Sequence, residues 1–181
     1  MSVEQYASPR AFSSKRPWED WLLAANRWLL ITLVAVMSVL VIANVGARYV
    51  LSYSLVWVEE LTRYMMIWTT FLGAGFALRV GGHIAIDNLA KAFPAKAART
   101  LRAAIVLTIA AALIVLVVLG VQYSDFAWEQ ETPVLGWSYG QVYLAIPIGA
   151  VLTLLHLLTV ARQWIQSGEW EKVDNFDPQA L

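Results

Sequence analysis

Long stretches without a charged residue alternate with short polar segments along this chain. The uncharged stretches cover residues 28–47, 64–78, 103–124 and 132–161. A helix needs about 20 residues to cross roughly 30 Å of hydrocarbon, and the first and third stretches reach that length directly. In the long fourth stretch, a loop precedes a helix that is predicted to begin near Ser138. The pattern predicts an all-α integral membrane protein with four transmembrane helices and short interfacial helices.

Two arginines border the shorter second stretch. Arg63 precedes it and Arg79 follows it, about 24 Å apart along a helix. Both side chains are therefore predicted to snorkel to opposite interfaces while their aliphatic stems stay in lipid. On this interpretation the second helix also spans the membrane.

Composition and charge distribution set the organisation and the topology. The chain has 181 residues, 59% hydrophobic and 14% charged, with no net charge, which leaves little material for a separate soluble domain and gives no indication of nucleic-acid binding. Eleven of the 13 Lys and Arg residues fall before the first span, between the second and third, or after the fourth. The positive-inside rule then places both termini in the cytoplasm.

We expect one membrane domain over residues 18–165, with a flexible cytoplasmic tail at residues 1–17 and another at 166–181. Trp18, Trp21 and nearby residues recur at helical spacing before the first span. They predict a short interfacial helix that lies flat among lipid headgroups, and the alternative is an extension of the span itself. No cysteine, phosphate-binding glycine loop, catalytic carboxylate pair or metal-binding histidine set occurs in the sequence, so neither an enzyme nor a cofactor is expected.

Charged side chains cluster at the predicted outer end of the first two spans. Arg48 ends the first span, and Glu59, Glu60 and Arg63 follow on a helix that Ser54 is predicted to cap. Both glutamates have the helical spacing for an ion pair with Arg63, and Arg48 is close enough to join them. The cluster is interpreted as an interfacial ion network that anchors the helix, with a docking surface or a membrane-depth site as the alternative.

The central loop contains a possible proton relay. His83 and Asp87 stand four residues apart after Gly81 and Gly82, and Pro94 is placed to start the third helix. Two ligands are too few for a metal site, and no third ligand follows at suitable spacing. A capping or structural histidine is the prediction.

Small residues recur at every fourth position in three spans, which lets helix backbones approach closely. The stripes are Thr69, Gly73 and Ala77 in the second span, Ala104, Thr108 and Ala112 in the third, and Ala145, Gly149 and Thr153 in the fourth. We expect them to pack inside the bundle, with an interface to a partner as the alternative, and we expect Pro147 to bend the fourth helix. Polar residues within the spans are few, with Asn44 in the first and His156 in the fourth.

Several ordered segments resemble one known family. Residues 57–64 read WVEELTRY, residues 71–79 read FLGAGFALR, residues 82–87 read GHIAID and residues 143–149 read YLAIPIG. Together with the four-span layout, they resemble the DctQ-like small permease of tripartite ATP-independent periplasmic (TRAP) transporters over roughly residues 20–165.

The resemblance implies a complex of this small permease, a large permease that carries solute and coupling ion, and a periplasmic solute-binding protein. Uptake of an organic acid, such as a C4-dicarboxylate or a sugar acid, would be driven by an ion gradient. The small subunit would be a scaffold among the lipids of the bacterial inner membrane. The polar positions assigned to assembly are Arg48, Trp57, Glu59, Glu60, Arg63, Arg79, His83 and Asp87. Those assigned to helix packing are Gly73, Ala77, Pro147 and Gly149.

A second hypothesis is the membrane anchor of a respiratory enzyme. His83 and His156 both lie toward the cytoplasmic side in the predicted topology and could ligate haem. Against it, His83 is predicted to lie outside the hydrocarbon, and no partner for a quinone or a haem propionate can be identified. The transporter scaffold is the preferred interpretation.

Overall fold

The computed structural model describes residues 17–81 and 94–168. The helices are α1 (Pro17–Val50), α2 (Val56–Gly81), α3 (Ala95–Phe126), α4 (Tyr139–Tyr143) and α5 (Ala145–Ser167). Extended pairing within these residues is limited to an isolated bridge between Glu131 and Ser138 in the loop that joins α3 to α4. The all-α prediction is confirmed. The predicted tails lie outside the described residues, except that α1 begins at residue 17, and α5 and the residue that ends it continue through residues 166–168.

The helices form a multi-pass membrane protein. Three helical segments are long and apolar enough to cross a membrane by length and composition, namely Trp21–Val50, Lys96–Phe126 and Tyr139–Ser167. The fourth long helix, α2, has 26 residues and a length of about 39 Å. It carries charged residues near both ends and packs against neighbours on two sides, along α1 and along α5.

The centre of the bundle is formed by α2 and α5. α5 packs along both α2 and α3, whereas the main contacts of α1 are with α2. Half of the apolar window of α5 is buried, but only 6% of the corresponding window is buried in α1 and in α3. The two outer helices therefore direct most of their side chains away from the described part of the protein.

Glycines allow the central helices to approach closely. A Cβ atom added at Gly149 would lie 2.6 Å from the Cβ and the carbonyl oxygen of Phe71 on α2. At Gly75 it would lie 3.1 Å from the Cα of Thr153 on α5, and at Gly120 it would lie 2.9 Å from the ring of Pro147. Gly75 and Gly120 belong to none of the predicted stripes.

Two of the predicted stripes differ from the packing that the structure has. Ala104, Thr108 and Ala112 are exposed, so the predicted internal packing of this stripe is wrong. Ala77 is also exposed. A Cβ atom added at Gly73 would lie 3.7 Å from a side-chain carbon of Leu30 on α1, which is an ordinary contact distance. A repeat every four residues identifies one face of a helix, but it does not determine whether that face meets a neighbouring helix.

The separate interfacial helix predicted before the first span is not formed. Residues 17–50 make one continuous helix, which is the alternative that the sequence left open. Asn26 provides the physical reason, because its side chain is buried and donates a hydrogen bond of 3.2 Å to the carbonyl of Leu72 on α2. This segment therefore packs upright against α2.

The start of the last span agrees with the prediction. Ser138 precedes α4, and its hydroxyl oxygen accepts a hydrogen bond of 3.0 Å from the Gly140 N–H. The helix is interrupted at Leu144, between α4 and α5. Because Pro147 has no N–H to donate to the carbonyl four residues earlier, the expected bend takes the form of this interruption.

Candidate functional site

Polar side chains gather where α1 meets α2, near the loop between α3 and α4. We call Asn44, Arg48, Ser54, Glu59 and Glu60 the corner polar cluster. These residues come from the last two turns of α1, the connecting corner and the first turns of α2. The cluster joins three parts of the chain.

Asn44 holds the corner between the two helices. Its side chain is only 6% exposed, and its Oδ1 accepts a hydrogen bond of 2.7 Å from the N–H of Leu55. The backbone N–H groups at a helix start have no partner within the helix, so this bond satisfies a donor just ahead of α2. The predicted capping role of Ser54 is not observed. Its hydroxyl instead lies 3.1 Å from the side chain of Arg48 and 3.5 Å from that of Glu59.

Arg48 and Glu59 form an ion pair across the corner. Both side chains are about half exposed, at 53% and 49%, so the pair contributes about 0–1 kcal/mol to stability. The prediction that Arg48 joins the cluster is confirmed. The predicted pairs of Arg63 with Glu59 and Glu60 are wrong, because both carboxylates have other partners, and Arg63 makes no ion pair among the described residues.

Glu60 fastens α2 to a loop that lies 74 residues further along the chain. Its carboxylate accepts hydrogen bonds from the Tyr64 hydroxyl at 2.6 Å and from the Val134 N–H at 2.9 Å. The loop is itself closed, since the Thr132 N–H donates to the carbonyl of Trp137 and the Trp137 N–H donates to the hydroxyl of Thr132. A single buried carboxylate thereby positions a preformed turn over the N-terminal end of α2.

Electrostatics at Glu60 favour the ionised carboxylate. Burial raises the pKa of this carboxyl, but hydrogen bonds from Tyr64, Thr132 and the N–H groups of Val134 and Leu135 lower it. The hydrogen bonds prevail, and the pKa lies below the ordinary value of 4.5. Glu60 is therefore charged at neutral pH and acts as an acceptor for the loop.

Exposed tryptophans occur on α2 and in the α3–α4 loop. Trp57 on α2 is 41% exposed, and Trp128 and Trp137 in the loop are 50% and 46% exposed. Tryptophan concentrates at the boundary between hydrocarbon and headgroups, so these rings mark the level of the membrane surface. Trp57 thus lies beside the cluster without being one of its hydrogen-bonded members.

The C-terminal end of α2 differs from its prediction. Arg79 is only 1% exposed and does not snorkel to the membrane surface. The protein encloses it, and the fully buried His156 of α5 lies close by and contacts the position of Gly75. The Arg79 side chain is therefore packed within the protein rather than exposed to lipid. The other predicted polar pair of this region, His83 and Asp87, lies outside the described residues.

The described polar residues tie helices and loops together. Their side chains bond to backbone groups or to one another at the joints between elements, as at Asn44 and Glu60. The His156 side chain is completely buried, and neither of its ring nitrogens has a hydrogen-bond partner among the described residues.

Comparison with known proteins connects this fold to transport. Residues 37–167 match the family model described as the DctQ component of tripartite ATP-independent periplasmic transporters. The chain is 29% identical to the ectoine TRAP transporter small permease protein of Halomonas elongata, over 78% of this chain and 75% of that protein. It is 27% identical to the C4-dicarboxylate TRAP transporter small permease protein of Vibrio cholerae, over 86% of this chain and 62% of that protein.

A longer relative matches over only part of its length. The chain is 24% identical to the sialic acid TRAP transporter permease protein of Haemophilus influenzae. The match covers 74% of this chain but 22% of that protein. The similarity therefore extends over one portion of that protein.

Proposed function

The chain belongs to the DctQ component family of tripartite ATP-independent periplasmic transporters, and we propose that it is the scaffold that holds a large permease in the bilayer. The observation that carries this proposal is the low burial of α1 and α3. Only 6% of the apolar window is buried in each of these helices, so long apolar faces are available to another membrane subunit. The polar residues assigned to assembly would keep these faces in position.

A separate large permease is the partner that the relatives suggest. The match to a portion of the longer Haemophilus influenzae permease supports a small subunit that works beside a larger membrane component. We further propose that a periplasmic solute-binding protein delivers the solute and that an ion gradient drives uptake. The named solutes of the relatives, ectoine, C4-dicarboxylate and sialic acid, differ from one another, and an organic acid is the first class to test.

The partner proposal predicts the result of a purification. The tagged full chain, isolated in mild detergent from its native host, should co-purify with a large multi-span permease identified by mass spectrometry. An untagged strain provides the control for non-specific recovery. Recovery of a flavin or iron–sulfur enzyme in place of a permease would contradict the scaffold and favour a respiratory anchor.

The topology proposal puts both termini on the cytoplasmic side of a bacterial inner membrane. The chain has no cysteine, so single cysteines can report the side of each segment. Glu129→Cys and Gln166→Cys both change exposed residues, one in the α3–α4 loop and one near the end of α5. A membrane-impermeant thiol reagent added to intact spheroplasts should label position 129 and should label position 166 only after lysis. Labelling of position 166 in intact spheroplasts would overturn the topology.

A further inference from the structure

A groove of about 620 Å³ runs between α1 and α2, next to the corner polar cluster. Its apolar wall includes Met37, Val41 and Ile42 on α1 and Met66 on α2. Val41, Ile42 and Met66 are 45%, 71% and 56% exposed, so the groove opens directly to the surroundings of the protein. Binding sites for small molecules have volumes of about 300–1,000 Å³, so this groove is large enough to hold part of a small molecule.

Arg63 lines the same groove and brings a positive charge to it. Glu59 also lines the groove, but its carboxylate is paired with Arg48. Glu60 is engaged by the α3–α4 loop. Arg63 thus has no counter-ion among the described residues, although it directly precedes an apolar stretch. A guanidinium next to hydrocarbon is costly unless an anion accompanies it.

We propose that this groove binds an anionic phospholipid, whose phosphate sits on the guanidinium of Arg63 and whose acyl chain lies along Met37, Val41 and Met66. The groove has a charged part and an apolar part in the same order as a lipid. The cation lies toward the N-terminal end of α2, and the apolar side chains lie deeper along the helices. Arginine binds phosphate through two parallel N–H donors. Methionine side chains are flexible and polarisable, which suits an irregular acyl chain. The inference concerns a lipid site and is independent of the proposed scaffold function.

The position of Arg63 favours a lipid over an acidic side chain from a protein partner. A carboxylate on a partner helix would have to lose its water next to the apolar stretch, and that desolvation offsets much of the attraction. A lipid phosphate is already at the membrane surface. Arg63 lies one turn along α2 from Glu59, about 6 Å, and its long side chain can reach back toward that surface.

Native mass spectrometry of the full chain tests this site. The protein in mild detergent is mixed with either phosphatidylglycerol or phosphatidylcholine, and the fraction of protein with bound lipid is measured for each. Wild type should retain phosphatidylglycerol over phosphatidylcholine by roughly fivefold. Arg63→Gln should lose this preference. Arg99→Gln, which neutralises an exposed arginine on α3, should keep it.

A second variant tests the groove independently of the charge. Val41→Trp fills the groove at an exposed position and leaves Arg63 unchanged, so it should also reduce retention of phosphatidylglycerol. Circular dichroism of each variant shows that the helices remain folded. Equal retention of the two lipids by wild type would overturn the proposal, as would an undiminished preference in Arg63→Gln. Loss of the large permease from Arg63→Gln, with lipid preference unchanged, would overturn it as well and identify the groove as a protein interface.

Discussion

Gly149→Leu is expected to produce a large loss of stability in the bundle. Even a Cβ at this position would lie 2.6 Å from the carbonyl oxygen of Phe71 and 2.7 Å from its carbonyl carbon. These are backbone atoms of α2, so the conflict cannot be relieved by rotation of a side chain. Overpacking costs typically about 1–3 kcal/mol, and we expect the leucine variant at or above the upper end because α2 and α5 must separate.

Gly46 provides a matched control for this substitution. It is also a helical glycine, but nothing lies within 4 Å of a Cβ added there. Replacement of glycine by alanine in a helix gains about 1 kcal/mol from propensity, so Gly46→Ala should be neutral or stabilising while Gly149→Ala should destabilise. The measurement is the monodisperse fraction that survives heating in mild detergent. If Gly149→Leu survives heating as well as wild type does, the close α2–α5 contact is not present in the protein.

Glu60→Ala is expected to release the α3–α4 loop from α2. The substitution removes the acceptor for the Val134 N–H and for the Tyr64 hydroxyl, and a donor left without a partner in a covered site is unfavourable. Hydrogen–deuterium exchange of the peptide that contains Val134 should accelerate by roughly tenfold. Glu59→Ala is the neighbouring control, because it removes only a half-exposed ion pair and should leave exchange in the loop nearly unchanged.

The same contact should respond to acid. The folded-state pKa of Glu60 lies below its ordinary value of 4.5, so ionisation of this group stabilises the folded state at neutral pH. That contribution persists down to about pH 4.5 and is lost as the pH falls through the lower folded-state pKa. Exchange in the loop, corrected for the intrinsic effect of pH, should therefore increase only in acid. Glu60→Gln cannot ionise, and retention of the full acid response in this variant would show that another group is responsible.

The features that were predicted well depend on residues close together in sequence. The uncharged stretches identify the long helices because crossing a membrane requires a continuous apolar segment. Ser138 and Pro147 act on the backbone within a few residues of themselves, through a capping bond and a missing N–H. Local chemistry is visible in a sequence, and these elements are found where it places them.

Contacts between distant residues were predicted less well. Spacing favoured a pair between Glu60 and Arg63, yet Glu60 bonds to Val134, 74 residues away. The loop supplies several hydrogen-bond donors in a covered position, whereas Arg63 supplies a charge that water or lipid can also satisfy. Asn26 was overlooked for the same reason, since its bond to Leu72 spans 46 residues.

The sequence also did not show which side of a helix meets a neighbouring helix. Arg79 was expected at the membrane surface because hydropathy treats lipid as the surroundings of every helix, but its side chain is buried in the protein. Gly73 and Gly75 stand two residues apart on α2 and face different helices, with Leu30 of α1 near the first and Thr153 of α5 near the second. Small residues show that close approach is possible, and only the tertiary arrangement determines with which partner.

The central position of α2 has a consequence for biosynthesis. α2 is complete at Gly81, but its principal neighbour α5 is complete only at Ser167, which is 86 residues later. At about 5–20 residues per second, a ribosome takes roughly 4–17 s to cover this distance. Throughout that interval α1 is the main packing partner available to α2, and Phe71 lacks its contact with Gly149 on α5. Retention of α2 in the membrane during synthesis therefore depends on the hairpin with α1 and on the insertion machinery.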